Sequence, residues 1–296
     1  MRRVFVAGIL IGLGIAAILA ALVRIPLTKT PTVTTQPPPN TVRELIEQLH
    51  DEEKGPAAQA TLIAFGSQAV PDLIQRTHSP NWWSRWDGIN ILGYIGDKQG
   101  LNAIVERALY DDEPHVRWRA IWAMGAFDNK EISVRLLNAL EAVDPTVKWN
   151  AAVALSAMRR QEAIPVLCTG LESPDEWIQW EAVNALGVVY DEQTSGALAC
   201  LLKFGAPAAV EQEIVVSLGR IGDERAVPAL KTALSHISSG VRWRAVGALA
   251  AINDPSALPA LHQRLPKEMD DQTRMEIRTA IAALSALDGQ TEISKN

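Results

Sequence analysis

The sequence predicts an all-α chain, a solenoid of about seven to eight stacked helix pairs preceded by one membrane-spanning helix. Three observations carry this. The pentapeptide VRWRA stands at 116–120 and again, letter for letter, at 241–245. Its tryptophan belongs to a landmark that returns every 31 or 32 residues: Trp86, Trp118, Trp149, Trp180, Gln212 and Trp243. A fixed period in this range marks stacked repeats, each one supersecondary unit. Apolar residues recur at helical spacing within each unit, and no stretch alternates with the period of two that a half-buried strand requires.

The elements follow in chain order. Residues 1–3 form a short tail carrying Arg2 and Arg3. Residues 4–23, VFVAGILIGLGIAAILAALV, contain no charge. At 1.5 Å per residue they span about 30 Å, the thickness of a hydrocarbon core. The run exceeds the apolar core of a signal peptide and lacks a clean A-x-A site before Arg24, so an uncleaved anchor is expected. The slight excess of basic charge at the N-terminal end places the N-terminus in the cytoplasm and the body outside it. Gly8, Gly12, Ala16 and Ala20 form a small-residue stripe through which two such helices could associate. Residues 24–40 contain PTVTTQPPPN, an extended and semi-rigid spacer. The repeats occupy 41–288, and 289–296 form a polar C-terminal tail.

Each repeat reads as two helices. Between Trp118 and Trp149, PHVRWRAIWAMGAF precedes DNKEISVRLLNALEAVD. Seven residues after each landmark stands a small residue: Gly93, Gly125, Ser156, Gly187, Gly219 and Ala250. Ser79-Pro80, Asp144-Pro145 and Ser173-Pro174 read as a cap followed by a first-turn proline. A degraded copy, QATLIAFGSQAVPDLI, begins at Gln59, and RTAIAALSALDG near the end is a second, its register open by about three residues. Degraded end copies are what caps with a single neighbour would look like.

With period near 31, V-R-x-x-A and then A-L-G, the chain resembles the HEAT-like repeats of the phycobilisome-lyase type. The resemblance rests on VRWRAIWAMG, VKWNAAVALS, VRWRAVGALA and RIGDERAVPALKTAL. It implies a right-handed stack of helix pairs with the V-R-x-x-A helix on the concave side. It says little of function, since one fold serves many roles.

Composition narrows the function. The net charge is −6, and residues 1–39 hold four bases and no acid. The remainder has 24 basic against 34 acidic residues, a net of −10. An acidic body opposes nucleic-acid binding, which draws on a basic face. Two cysteines, Cys168 and Cys200, suit neither a disulfide scaffold nor a four-cysteine zinc site. Stacked helices lie about 8–10 Å apart, so two buried free thiols are expected. None of the five histidines is followed by glutamate, and H-E-x-x-H, P-loop and G-x-S-x-G motifs are absent. The histidine–glutamate pairs that HEAT-repeat deoxyhypusine hydroxylases use for iron are therefore missing. No metal, cofactor or catalytic residue is expected.

The binding candidates lie on the landmark helix. With Val116 at 0° and 100° per residue, Ala120, Ala123 and Met124 fall within about 80° of it and form the core stripe. Trp118 and Trp122 fall near 200° and 240°, on the other flank. The equivalents of Trp122 include Asn90, Val153, Asn184 and Gly247, so this flank reads as at least half exposed. Two readings of the indoles stay open: groove-filling between neighbouring units, or a recognition ladder. The nine tryptophans outnumber the seven phenylalanines and tyrosines together, which favours recognition. The expected partner-binding set is Trp86, Trp118, Trp122, Trp149, Trp180, Trp243, Arg119 and Arg244. The arginine before the tryptophan, at Arg85, Arg117 and Arg242, reads as structural. The resulting expectation is a non-enzymatic, membrane-tethered scaffold for an extended protein partner. A lyase-like or chaperone role on a chromophore or client is the alternative, and a nucleic-acid binder the less favoured one.

Overall fold

The computed structural model describes residues 41–127 and 129–293. Among them there is no strand. The chain divides into two compact units, Met1–Leu155 and Ser156–Asn296.

In the first unit α1 (Thr41–Gln48) precedes the pair α2 (Gly55–Phe65) and α3 (Val70–Arg76). Next come α4 (Trp82–Ile95) with α5 (Leu101–Tyr110), α6 (Pro114–Met124) with α7 (Asn129–Leu140), and α8 (Pro145–Ala157), whose last residues pass the division. The landmark helix α4 packs against α2, α3 and α6, and α5 packs against α6. In the second unit α9 (Ile164–Gly170) precedes α10 (Glu176–Val189) and α11 (Glu192–Phe204), α12 (Ala208–Ile221) and α13 (Val227–Ala233), α14 (Ser239–Ile252) and α15 (Leu258–Arg264), then α16 (Asp271–Ile293). Here α10, α12, α14 and α16 pack one on the next, and each shorter helix lies against the landmark helix that follows it. α16 continues beyond the boundary expected at 288.

The core stripe is where the sequence puts it. Val116, Ala120, Ala123 and Met124 are buried, as are Leu155, Leu186, Leu218 and Leu249 at the equivalents of Met124. Each buried leucine contributes about 1.5–3 kcal/mol. The small residue at landmark plus seven has a steric cause. A Cβ on Gly93 would lie 2.7 Å from the Cβ of Ala123, and one on Gly187 would lie 2.4 Å from the Oγ of Ser217. Neighbouring landmark helices thus touch through small residues, five positions along one and seven along the other. Ser217 uses the approach to donate 2.9 Å to the Val183 carbonyl of the preceding repeat.

Two of the three proline starts are displaced. α8 does open at Pro145, with Asp144 accepting from the Thr146 amide at 2.8 Å. In the others the serine hydroxyl makes a turn one step earlier, Ser79 accepting from Asn81 and Ser173 from Asp175. Asn81 and Asp175 then cap α4 and α10. The serine turn satisfies the cap residue's own amide, so the helix begins two residues after the proline.

The expectation of a single-pass membrane protein is corrected. Among the described residues no helix is long and apolar enough to cross a membrane. The longest of them, α16, carries Arg274, Glu276 and Arg278 in its first turns. Residues 4–23, on which the anchor, its orientation and the Gly8–Gly12–Ala16–Ala20 stripe were based, lie outside the described residues. Membrane tethering is withdrawn with them.

Candidate partner-binding surface

The residues flanking the tryptophans sort into clamps and rings. Arg85 is a clamp: its guanidinium forks onto Asp111 at 2.7 and 2.8 Å and donates to the carbonyls of Ser79 and Pro80. Arg242 repeats the arrangement with Glu268, at 2.7 and 2.8 Å, and with the carbonyls of His236 and Ile237. Both arginines are buried. At Arg85 and Arg242 the arginine before the tryptophan is structural, as the likeness to HEAT-like repeats implied. Arg274 donates to the Glu268 carbonyl six residues back, as Arg242 does to that of His236. This fixes the register of the last copy and makes Met275, 68% exposed, its landmark.

The landmark tryptophans Trp86, Trp118, Trp149, Trp180 and Trp243 are all half-buried, and so is Trp122. The more exposed indoles are others: Trp82, Trp83 and Trp177, at 37%, 45% and 42%. Sequence reasoning passed over these three. Their signal is the W-x-x-W spacing, because Trp83 and Trp177 each precede a landmark by three residues, one helical turn. Trp83 stacks on Trp86 at 5.3 Å with the planes 4° apart, and Trp177 on Trp180 at 5.3 Å. One inference from the sequence is corrected. Asn90 and Asn184, at the equivalent of Trp122, are buried rather than half exposed. Asn184 is held there by a hydrogen bond to Glu213 at 3.0 Å, which satisfies its amide.

In the first unit the rings join. Trp82 meets Trp83 edge-on at 5.0 Å, and Trp83 lies on Trp86. The Arg119 guanidinium carbon stands 4.4 Å from the Trp86 ring centre and 4.9 Å from that of Trp122. Trp122 meets Tyr94 at 5.1 Å. A branch runs from Trp82 through His115 at 5.7 Å to Trp118 at 6.4 Å. Burial between the indoles pulls the Arg119 guanidinium below its ordinary value. Among the described residues Arg119 makes no hydrogen bond and no ion pair. The nearby acids are engaged elsewhere: Asp87 with His50 at 2.7 Å and Arg76 at 3.3 Å, Glu113 with His115 at 2.6 Å.

The second unit treats the same position differently. Arg244 lies 5.6 Å from the Trp243 ring and donates to the Gly240 carbonyl. Glu213 beside it is buried, bonded to Asn184 and paired with Arg220 at 3.2 Å. Burial pushes its carboxyl up, against the pull of Arg220 and Arg244. Of the cysteines, Cys168 is half-buried and Cys200 exposed, so the expectation of two buried thiols is corrected. Cys200 points out because it falls on the outer face of α11, two residues past the buried Leu198. No group of three or more histidine, cysteine, aspartate or glutamate side chains converges as a metal site among the described residues.

The sequence matches the family described as HEAT repeats over residues 70–137, 132–204 and 194–285, most of the chain. The chain belongs to the HEAT repeat family. No curated protein matches it. Among solved structures, this HEAT repeat chain is similar to YibA of Escherichia coli, at 23% identity over 82% of this chain and 92% of that one, with a TM-score of 0.54. It is also similar to Kap121p, at 11% identity over 83% of this chain and 32% of that one, with a TM-score of 0.61. Both likenesses concern the fold alone. The CpcE–CpcF complex of phycocyanin lyase from Nostoc sp. is matched at 18% identity over 73% and 94%, with a TM-score of 0.42. That leaves the lyase type a resemblance, and the HEAT repeat itself the finding.

Proposed function

We propose that this HEAT repeat protein is a non-enzymatic binding module that holds a segment of a protein partner on the ring-lined surface of α4 and α6. The supporting observation is the stacking of exposed Trp82 and Trp83 on the half-buried landmarks. Exposed, mutually ordered indoles offer large contact area at small entropic cost, and tryptophan is enriched at binding hot spots. A repeat array supplies an extended surface suited to an extended partner. The ladder residues Trp149, Trp180, Trp243 and Arg244 belong to the same proposal in the repeats that follow, within the repeat body 41–288.

The test compares stability with affinity in the same variants. The full chain is used to capture partners, and a partner identified by mass spectrometry is then purified and titrated. Trp83→Ala and Trp118→Ala should each weaken binding by about 2 kcal/mol or more. Because both side chains are partly exposed, their stability cost should stay well below the roughly 3–5 kcal/mol of a buried tryptophan. Leu155→Ala, fully buried, should cost about 2–5 kcal/mol of stability without selective loss of binding. If Trp118→Ala destabilises as much as Leu155→Ala while its folded fraction binds normally, the indoles are packing residues.

A further inference from the structure

The partner surface contains a charge whose role within the fold is unaccounted for. Arg119 is half-buried against two indoles, with no carboxylate or carbonyl bonded to it among the described residues. Withdrawing a charge from water without pairing it is costly, and stacking on aromatic faces returns only about 0.5–2 kcal/mol. The guanidinium carbon stands within 5 Å of the centres of both rings. Its in-plane N–H edge, which forks onto carboxylates, is unspent. Arg85 in the same unit spends that edge on Asp111. Arg117, two residues before Arg119, bonds only to the carbonyls of Asp111 and Asp112. The ring surface therefore has one guanidinium, that of Arg119, with no acid committed to it among the described residues.

Resting on the binding role proposed above, we infer that the ring surface of α4 and α6 recognises an acidic peptide segment, an aspartate or glutamate side chain on the Arg119 fork with apolar neighbours on the flanking indoles. A peptide fits better than a small anion because the rings extend well past the charge. From Trp82 to Tyr94 there are five successive contacts of about 5 Å. Their path is at most ~25 Å, the reach of about seven extended residues. A lone carboxylate would leave Trp82 and Trp83 uncovered.

The probes are acetylated, amidated nonapeptides Ser-Leu-Pro-Leu-X-Leu-Pro-Leu-Ser with X as Glu, Gln or Lys. They are titrated against the full chain by tryptophan fluorescence. The Glu peptide should bind at least about tenfold tighter than the Gln peptide, and the Lys peptide weakest. Arg119→Gln should erase the Glu preference, so that the Glu and Gln peptides bind alike. Arg119→Lys, which keeps the charge and most of the stem but not the fork, should restore only part of it. Melting curves establish that both variants are folded. Equal affinity for Glu and Gln peptides in the native chain overturns the inference, as does a Glu preference that survives Arg119→Gln. N-acetylglutamate amide matching the Glu nonapeptide would overturn the peptide half and leave a small-anion site. If all three peptides bind alike and Trp83→Ala weakens them together, acid recognition fails while the tryptophan surface stands. Absence of all binding up to about 1 mM also overturns the inference, and the broader reading then rests on the capture experiment alone.

Discussion

The two copies of VRWRA are identical in letters and different in use. In the first, Arg117 is half-buried and donates only to the backbone carbonyls of Asp111 and Asp112. In the second, Arg242 is buried and adds a bidentate pair with Glu268, 26 residues on. The residue 26 after Arg117 is Val143, which is 99% exposed and offers nothing. The second arginine diverges as well. Arg119 lies between Trp86 and Trp122, whereas the matching positions around Arg244 are Gln212 and Gly247. A five-residue motif sets the helix face on which each side chain leaves. What the side chain then does is decided by residues about one repeat away.

The largest expected difference between the copies is in stability. Arg242→Ala leaves the Glu268 carboxylate buried with half its partners, and breaking a buried pair costs about 3–5 kcal/mol. Arg117→Ala removes hydrogen bonds to partly solvated carbonyls and should cost about 1 kcal/mol or less. Urea unfolding of the two variants measures both. Equal losses would mean that the clamp adds nothing to what the shared motif already provides.

A pH titration sharpens the same contrast. Arg242, the amides at the α16 start and Arg264 hold the Glu268 carboxyl at about 2, down from 4.5. A depressed carboxylate contributes stability that is present above its unfolded value and lost as pH falls through the folded one. The loss should therefore run from about pH 4.5 down to about 2, reaching roughly 3 kcal/mol. Glu268→Gln should flatten that window by comparison with the native chain. An acid limb unchanged in the variant would show that other carboxylates govern it.

The same distinction, between what a helix face fixes and what its neighbours fix, explains how far the sequence could be read. The repeat length, the helix pairs and the buried stripe through Val116, Ala120 and Leu155 follow from local spacing, and they stand. The small residue after each landmark was visible as a pattern, but its cause, the touch of Gly93 on Ala123, needed the neighbouring helix. The exposure of the candidate residues was the weakest part. Asn90 and Asn184 looked like surface positions because their place in the repeat also accepts valine and glycine, yet Asn184 finds Glu213 in the next repeat. Trp82, Trp83 and Trp177 went unremarked because they stand outside the landmark register, although spacings of four residues for Trp82 and three for the other two place them on its face. Arg119 meets Trp122 one turn on in its own helix, but its contact with Trp86 crosses from α6 to α4, and no periodicity within one helix encodes that.

The smallest expected effect concerns the tryptophans of the two pentapeptides. The Trp243 indole N–H is buried and has no hydrogen-bond partner among the described residues. A buried donor left unpaired costs about 1–3 kcal/mol, whereas removing it along with its need for a partner can be neutral or favourable. Trp243→Phe deletes the N–H and one ring while keeping an aromatic side chain in place. The loss of packing volume and the relief of the unpaired donor oppose each other, so the variant should melt within about 1 kcal/mol of the native chain. Trp118 is engaged with its surroundings, and its ring meets His115 at 6.4 Å. Trp118→Phe relieves no unpaired donor there and should be the more destabilising of the two. Thermal melts of both variants under one buffer decide the matter. A Trp243→Phe loss clearly larger than that of Trp118→Phe would mean that the second indole N–H is satisfied in solution, by water or by a bound partner, and that the second copy of the motif is the wetter one.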